Sequence, residues 1–355
     1  MPNSYNQKKQ ETDLSIREQV SQEQTKLKSS PPKQRSSSSP KSNPRSKWKA
    51  IFTEILSPYK EMFSWINSFS LNFIQRDAPS AFFTSLPVQS LLAVIDNLAP
   101  EKVVRNVRDR AGPFLYPGKD VGVLLTHGFS ATAQEMEPLG KYIYEQLGYT
   151  TYGVLLKGHG TSPADLAQTD MIDWYHSVYD GYTFLKQSCD RIYLVAHSMG
   201  ATLSLLLAAN EEVDGIVAMC TPIKVRYFMQ DYLFLVSDLL KYFPRRKEEI
   251  EMMDKYDLIN YRVSALKGVE HLLDLLEVAR EEIKQVTAPL FTITAGKDER
   301  VPLDNAERIH RLVKSSIKKD YVAQHSPHTI LFGPERELIM TKTVEFLSFL
   351  EQEKG

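Results

Sequence analysis

Ser198 lies in the stretch LVAHSMGATLS, where a short apolar run changes into a run of helix-forming residues. The run from Arg191 to Val195 contains β-branched and aromatic residues and predicts a buried strand. The run from Ala201 to Asn210 is mostly Leu and Ala and predicts a buried helix. A serine on the sharp turn between such elements is exposed above the carboxyl edge of a sheet, where its hydroxyl can attack a carbonyl carbon. The stretch therefore predicts a nucleophile at Ser198; the alternative is an ordinary serine with small neighbours by chance.

The turn around such a serine needs small residues two positions away on each side, because the strand and the helix pass close together. Gly200 meets this requirement after the serine. Ala196 stands where the G-x-S-x-G pattern has its first glycine, and it adds only one methyl group. The pattern is therefore kept with one departure.

A catalytic serine needs an acid and a base, and one known chain order is Ser, then Asp or Glu, then His. Residues 288–295 predict a buried strand, and Asp298 follows it in a loop. A carboxylate at that position could orient an imidazole. The alternative is a turn aspartate that caps the next helix.

The stretch QHSPHTI follows the last predicted strand, from Lys318 to Gln324, and offers two candidate bases. Both His325 and His328 could reach the site. We favour His328, because it lies deeper in the loop and directly precedes an apolar run at 330–332 that would anchor the loop.

An acyl-transfer site also needs hydrogen-bond donors aimed at the developing oxyanion. The strand predicted from Val121 to Thr126 ends in the sequence HGFS. We expect the oxyanion hole to pair the backbone N–H of Met199, the residue after the nucleophile, with that of Phe129 in this early loop. Three further histidines are interpreted as structural residues rather than proton carriers: His127, His159 and His197.

Six stretches, taken together, resemble the bacterial carboxylesterase and monoacylglycerol lipase branch of the α/β hydrolases in content and spacing. They are LLTHGFSATAQEMEPLG, GVLLKGHGTSPADL, MIDWYHSVYDGYTFL, LVAHSMGA, AGKDERVP and SPHTI. The resemblance covers roughly Pro113 to Leu350. Two residues depart from the family pattern: Ala196 at the first glycine of the serine turn, and Pro327 where such loops often carry glycine.

The resemblance implies an α/β-hydrolase fold and a serine esterase or lipase that cleaves carboxylic esters of apolar acyl groups, such as a monoacyl lipid. Carried over by position, it implies Ser198 as nucleophile, Asp298 as acid and His328 as base. It also implies an oxyanion hole formed by Phe129 and Met199. The chemistry needs no metal or other cofactor, and no clustered metal-ligand spacing is found.

Alternating strands and helices from Val121 onward predict a mostly parallel sheet with helices on both faces. This hydrolase domain is expected over residues 104–355. The segment from about 221 to 286 breaks the alternation and predicts a helical cap, because it begins with the apolar stretch VRYFMQDYLFLVSDLLKYF. Such a cap would form an acyl-binding wall; its side chains could also simply pack the cap onto the core.

The N-terminal third has a different character. Residues 1–47 are rich in Ser, Gln, Lys and Pro and predict a disordered basic tail. Residues 48–103 predict an amphipathic helical appendage, because aromatic and apolar residues recur at helical spacing from Trp48 to Phe73. A basic tail beside such a helix suits an anionic membrane surface. The alternatives are a stripe packed against the body and a dimer seam.

Composition supports an enzyme with a sizeable core, since 42% of the 355 residues are apolar. The net charge of −1 gives no reason to expect nucleic acid as a partner. Two distant cysteines, a polar N-terminus without a signal-like segment and no long apolar run predict a cytoplasmic location, with peripheral membrane contact as the variant.

Two further function classes stay open. The same catalytic groups would serve an acyltransferase or an amidase, because the serine turn and its partners do not distinguish these reactions. A non-catalytic membrane-binding protein on a hydrolase fold is the second alternative, and the presence of all three candidate groups argues against it.

Overall fold

The computed structural model describes residues 105–225 and 241–353. The predicted tail at 1–47 and the predicted appendage at 48–103 lie outside the described residues, and so do residues 226–240 of the predicted cap. Within the described ranges, none of the helices has the length and apolar character that crossing a membrane requires.

A seven-stranded sheet forms the centre of the described chain, with the strand order β1-β3-β2-β4-β5-β8-β9. Its strands are β1 (Phe114–Tyr116), β2 (Lys119–Thr126), β3 (Tyr149–Val154), β4 (Arg191–His197), β5 (Gly215–Met219), β8 (Leu290–Ala295) and β9 (Lys318–Ala323). The edge strand β1 is antiparallel to β3, and the other neighbouring strands are parallel. The predicted α/β fold is therefore confirmed, with β1 as a strand that the sequence did not suggest.

Helices cover both faces of this sheet. The α-helices of the described chain are α1 (Glu137–Leu147), α2 (Pro163–Leu166), α3 (Met171–Leu185), α4 (Met199–Asn210), α5 (Lys247–Lys255), α6 (Leu266–Glu282), α7 (Asn305–Leu312) and α8 (Arg336–Gln352). Helices α1 and α8 pack together, whereas α3, α4 and α6 form a second packed group. Successive strand residues point to opposite faces, so Val123 joins the core on the α1 side while Leu124 lies close to Gly181 of α3.

Local sequence explains where the main helices begin and end. Asp170 caps α3 by accepting from the backbone N–H groups of Ile172 and Asp173, and Asp173 completes a capping box. Helix α1 ends at Gly148, which adopts φ +68°, a conformation open to glycine at little cost. Helix α4 is apolar all round and almost wholly buried, as expected for a helix packed between the sheet and α6.

The segment between β5 and β8 holds a separate two-stranded sheet of β6 (Tyr242–Pro244) and β7 (Val263–Ala265), together with α5 and α6. Helix α6 packs against α3 and α4 in the helical layer of the main sheet. The range 221–286 therefore contains a helix of that layer. That its earlier part covers a site stays a prediction.

Contacts divide the described residues into two units. The main unit holds the seven-stranded sheet and its helices, and the second contains the short stretch Pro244–Ile250. In that stretch Arg245 and Arg246 both form ion pairs with Glu249.

Candidate active site

The carboxyl ends of neighbouring parallel strands lie at one edge of the sheet, and all the predicted site residues follow these ends. Thr126 at the end of β2 pairs with Ala196 of β4, and Ala295 at the end of β8 pairs with Ala323 of β9. The loops that carry the candidate donors, nucleophile, acid and base therefore converge, as expected for ligand sites in open parallel sheets.

Ser198 occupies the turn between β4 and α4 with φ 53° and ψ −125°. A positive φ is unfavourable for a residue with a Cβ atom, so the turn is strained. The N–H of Ser198 donates to the carbonyl oxygen of Met219, 2.8 Å away. A Cβ added to Gly200 would lie 2.5 Å from the carbonyl oxygens of Thr126 and His127, so only glycine fits there. These contacts give the predicted small-residue requirement a structural cause.

His328 joins the candidate nucleophile to the candidate acid. Its Nε2 lies 3.0 Å from Oγ of Ser198, and its Nδ1 lies 2.7 Å from Oδ2 of Asp298. The other carboxylate oxygen of Asp298 accepts from the backbone N–H groups of Arg300 and Val301, both at 2.9 Å. The structure thus brings the three predicted residues together in hydrogen-bonding order. The two backbone N–H groups fix the carboxylate of Asp298 on the side away from His328.

The electrostatics of these groups suit proton transfer. Burial lowers the pKa of His328 below its usual 6.5, and the interaction with Asp298 offsets only part of that effect. Burial alone would raise the pKa of Asp298. The hydrogen bond and the charge of His328, with the two backbone donors, outweigh it and hold the pKa below 3.8. At neutral pH the pair therefore consists of a neutral imidazole and a carboxylate.

His325 is exposed and takes no part in this arrangement. Its backbone N–H donates to Oε2 of Glu335 at 2.8 Å, and the hydroxyl of Ser326 donates to the same oxygen. Residues 330–332 form a short 3-10 turn, with Ile330 and Leu331 buried, directly after His328. The loop is thus anchored at both ends around the histidine that we favoured.

The loop that carries the candidate donor Phe129 passes directly beside the candidate nucleophile. A Cβ added to Gly128 would lie 3.2 Å from Cβ of Ser198. We call residues 127–130 the oxyanion loop. Within the described residues, the backbone N–H groups of Phe129 and Met199 donate to no protein acceptor. Neither amide is therefore committed to a protein acceptor in this part of the chain.

His127 fixes the peptide group that carries one of these amides. Its Nδ1 lies 2.8 Å from the carbonyl oxygen of Gly128, and its Nε2 accepts from the N–H of Leu156 at 3.1 Å. Burial lowers the pKa of His127 to about 4, so the ring is neutral and can do both. Because C=O and N–H point opposite ways across a trans peptide, this bond aims the N–H of Phe129 away from His127.

The ring of Phe129 is enclosed by two other aromatic side chains. His159 and Trp174 contact it edge to face, with ring centroids 6.0 and 5.8 Å away. Burial lowers the pKa of His159 to about 3, and its Nδ1 lies 3.1 Å from the carbonyl oxygen of Lys157. These contacts fit the structural interpretation of His127 and His159.

Glu135 is a buried carboxylate at the site that the sequence did not single out. Its Oε2 accepts from the N–H of Gly128 at 2.9 Å, and its Oε1 forms an ion pair with Nδ1 of His197 at 3.2 Å. Burial disfavours charge on both groups, but the pairing outweighs it: the pKa of Glu135 lies below its usual value and that of His197 well above. The only sequence signal was an acidic residue inside an otherwise uncharged stretch, SATAQEM.

Donor atoms of His197, Cys220 and His328 lie within 4.8 Å of one another in the described chain. Both ring nitrogens of His197 already face Glu135 and the carbonyl oxygen of His328. Both ring nitrogens of His328 face Ser198 and Asp298. The histidine nitrogens are therefore committed to other partners, and the group does not fit a metal ion.

Residues 119–335 match the family described as serine aminopeptidase, S33. A carboxylesterase of Bacillus subtilis (strain 168) is 29% identical over 243 residues, which is 67% of this chain and 97% of that protein. A thermostable monoacylglycerol lipase of Bacillus sp. (strain H-257) is 29% identical over 239 residues, covering 67% and 94%.

Solved structures give the same result for the fold. A structure from work on the metagenome-derived lipolytic enzymes LipS and LipT has a TM-score of 0.63 and 25% identity, and covers 70% of this chain and 100% of its own. A monoacylglycerol lipase of Paleococcus ferrophilus has a TM-score of 0.58 and 18% identity, covering 67% and 98%. The predicted family resemblance is confirmed, and the matches support an ester hydrolase.

Proposed function

Since the chain belongs to the serine aminopeptidase S33 family of α/β hydrolases, we propose that it hydrolyses carboxylic esters of apolar acyl groups through an acyl-enzyme on Ser198. One observation carries the proposal: the hydrogen-bonded order of Ser198, His328 and Asp298, beside two backbone amides that have no protein acceptor among the described residues. The same observation disfavours a non-catalytic protein on this fold, which would have no need of that order.

The first step forms the acyl-enzyme. The hydroxyl of Ser198 is a weak nucleophile at its free pKa, so His328 takes its proton as Oγ attacks the ester carbonyl carbon. Asp298 holds the imidazole in the correct tautomer and stabilises the imidazolium. The N–H groups of Phe129 and Met199 donate to the oxyanion of the tetrahedral intermediate. His328 then gives its proton to the leaving alkoxide, which departs as the alcohol.

The second step releases the acid. Water replaces the alcohol, and His328 takes a proton from it as the water oxygen attacks the acyl carbon of the ester on Ser198. A second tetrahedral intermediate collapses, His328 returns the proton to Oγ, and a free carboxylic acid leaves. The cycle consumes one ester and one water and regenerates the enzyme.

The substrate class rests on the relatives and on the sequence between β5 and β8. Both curated relatives act on esters by name, one as a carboxylesterase and one as a monoacylglycerol lipase. The apolar stretch at 225–243 precedes the acid strand, where a cap would contribute an acyl-binding wall. We therefore assign a simple ester or a monoacyl lipid as substrate.

Amide cleavage is the second candidate, because the family description names an aminopeptidase. Acyl transfer to an alcohol is the third, since an acceptor could replace water in the second step. Both use the same acyl-enzyme, so the site geometry does not separate them from ester hydrolysis.

A fluorophosphonate probe and an ester series test the proposal. We expect the probe to label Ser198 once per chain, and esters of increasing acyl length to be hydrolysed with a maximum in the series. Matched amides and added acceptor alcohols separate the three reactions by product. A protein that neither reacts with the probe nor cleaves any ester would contradict the proposal.

We also propose peripheral contact with an anionic membrane through the N-terminal region. The support is in the sequence: residues 24–49 contain eight basic and no acidic residues, and an aromatic stripe at helical spacing follows. Deleting residues 1–76 should abolish sedimentation with anionic vesicles at low salt and leave hydrolysis of soluble esters intact. Full-length protein that ignores such vesicles at low salt would refute membrane contact.

A further inference from the structure

Glu135 and His197 are charged side chains beside the candidate nucleophile, and the steps above use neither of them. Their side chains are only 6% and 4% exposed. A buried ion pair is a poor source of stability, because apolar residues of the same volume often serve as well. The contacts that this pair makes are therefore informative about the site itself.

The pair lies in a continuous chain of contacts through three separate segments. Glu135 accepts a hydrogen bond from the N–H of Gly128 at 2.9 Å, and Gly128 directly precedes the candidate donor Phe129 in the sequence. Its other oxygen pairs with Nδ1 of His197, the residue before the nucleophile. The Nε2 of His197 donates to the carbonyl oxygen of His328 at 2.8 Å. The chain thus runs from the oxyanion loop through the serine turn to the candidate base.

We propose that Glu135 and His197 are positioning residues that hold the oxyanion loop, the serine turn and the base in register for acyl transfer. The inference rests on the proposed function, because register matters only if these groups react together. Neither side chain is hydrogen-bonded to a reacting atom in the steps above, although the ring centroids of His197 and His328 lie 5.0 Å apart. Glu135 acts through the backbone N–H of Gly128 and the ring of His197, and His197 acts through the backbone carbonyl of His328.

The three segments need such a link because they are loops from different parts of the chain. The oxyanion loop follows β2, the serine turn follows β4, and His328 lies in the loop after β9. A misplacement of about 1 Å between reacting groups can cost about 100-fold in rate. Loss of the contacts made by Glu135 and His197 should therefore lower kcat and leave KM nearly unchanged, because the groups that bind the substrate remain.

Two substitutions at Glu135 distinguish the loss of its contacts from the loss of its negative charge. Glu135→Ala removes both contacts. Glu135→Gln keeps them: its amide oxygen can accept from Gly128, and its NH₂ can donate to Nδ1 of a neutral His197, which still donates to His328. We expect Glu135→Ala to lower kcat by about 10- to 100-fold with KM within about threefold, and Glu135→Gln to recover most of the loss.

Glu351→Ala is the matched control, because it removes a second ion pair of the same strand. Glu351 pairs with Arg191 at the start of β4, whereas His197 is the last residue of β4. The rate is expressed per active site, counted by the end point of fluorophosphonate labelling, so that unfolded molecules do not contribute. Glu351→Ala should keep the wild-type kcat on this scale.

Wild-type and Ser198→Ala proteins are measured first, so that failure of the proposed function is recognised before the pair is judged. Given an active wild type, a wild-type kcat for Glu135→Ala would overturn the positioning role. So would a kcat for Glu135→Gln as low as that of Glu135→Ala. If Glu135→Ala does not fold, His197→Asn replaces it under the same criterion: it can still contact Glu135 but cannot reach the carbonyl oxygen of His328.

Discussion

The two ends of strand β4 each carry an ion pair, and the pairs differ in their surroundings. At the start of the strand, Arg191 and Glu351 lie 2.5 Å apart with 36% and 17% of their side chains exposed. At its end, His197 and Glu135 lie 3.2 Å apart and are almost fully buried. The first pair remains in contact with water, whereas the second is enclosed beside the candidate nucleophile.

Backbone strain follows the same division. Of the five non-glycine residues with positive φ in the described chain, Ser130, Ser198 and Cys220 lie in loops that follow β2, β4 and β5. Each such residue costs roughly 1–3 kcal/mol and persists only where its surroundings enforce it. Within the described chain, three of the five strained residues and this buried ion pair thus lie at the edge of the sheet that carries the candidate active site.

The largest effect should come from the strained turn itself. We expect Ser198→Ala to fold normally and to lose at least about 10⁴-fold in ester hydrolysis, because removing one of three cooperating Ser, His and Asp groups typically leaves only residual catalysis. The assay is the hydrolysis rate of a soluble ester, with circular dichroism as the check on folding. A purified variant with near wild-type rates would remove Ser198 from the mechanism.

A second pair of substitutions tests which histidine of the loop after β9 belongs to the candidate active site. His328→Ala should match the loss in Ser198→Ala, and the double variant should lose no more, because the two side chains act as one unit. His325→Ala should change the rate by less than about threefold, since its contact to Glu335 is made by the backbone N–H. The reverse pattern would assign the base to His325.

Much of this site could be predicted from the sequence because each candidate follows a strongly apolar strand. Strand and helix patterns around Ser198 and Asp298 placed both residues at strand ends, and parallel strands bring such ends together. The choice of His328 over His325 required only the apolar anchor that follows it.

Other features could not be predicted, because they depend on contacts that leave no periodic pattern in the sequence. Glu135 lies in a 3-10 turn and finds its partners at Gly128 and His197, which are far apart in the chain. Strand β1 has three residues and pairs antiparallel at the sheet edge, too short to show alternation. Local patterns do not specify contacts of this kind.

The pH dependence of the reaction probes the burial of the candidate base. Only neutral His328 can accept the proton of Ser198, so kcat/KM should fall as acid protonates it. Because burial lowers its pKa, we expect the midpoint of this acidic limb below pH 6.5 and full activity at neutral pH. Asp298→Asn should move the midpoint lower still, since the carboxylate favours the imidazolium. A midpoint above 6.5 in the wild type would contradict the burial of His328.

The smallest effect should come from the start of β4. Glu351→Ala removes the ion pair with Arg191 and also an acceptor of the hydroxyl of Tyr193, 2.5 Å away. A partly exposed ion pair contributes roughly 0–1 kcal/mol, and losing a hydrogen bond to a charged group costs about 1.5–3 kcal/mol at most. We therefore expect about 1–2 kcal/mol less stability, a few degrees in Tm, measured by thermal unfolding. Because Glu351 contacts none of Ser198, Asp298 and His328 in the described chain, kcat should be unchanged. A fall in kcat without loss of folded protein would mean that the two ends of the strand are coupled.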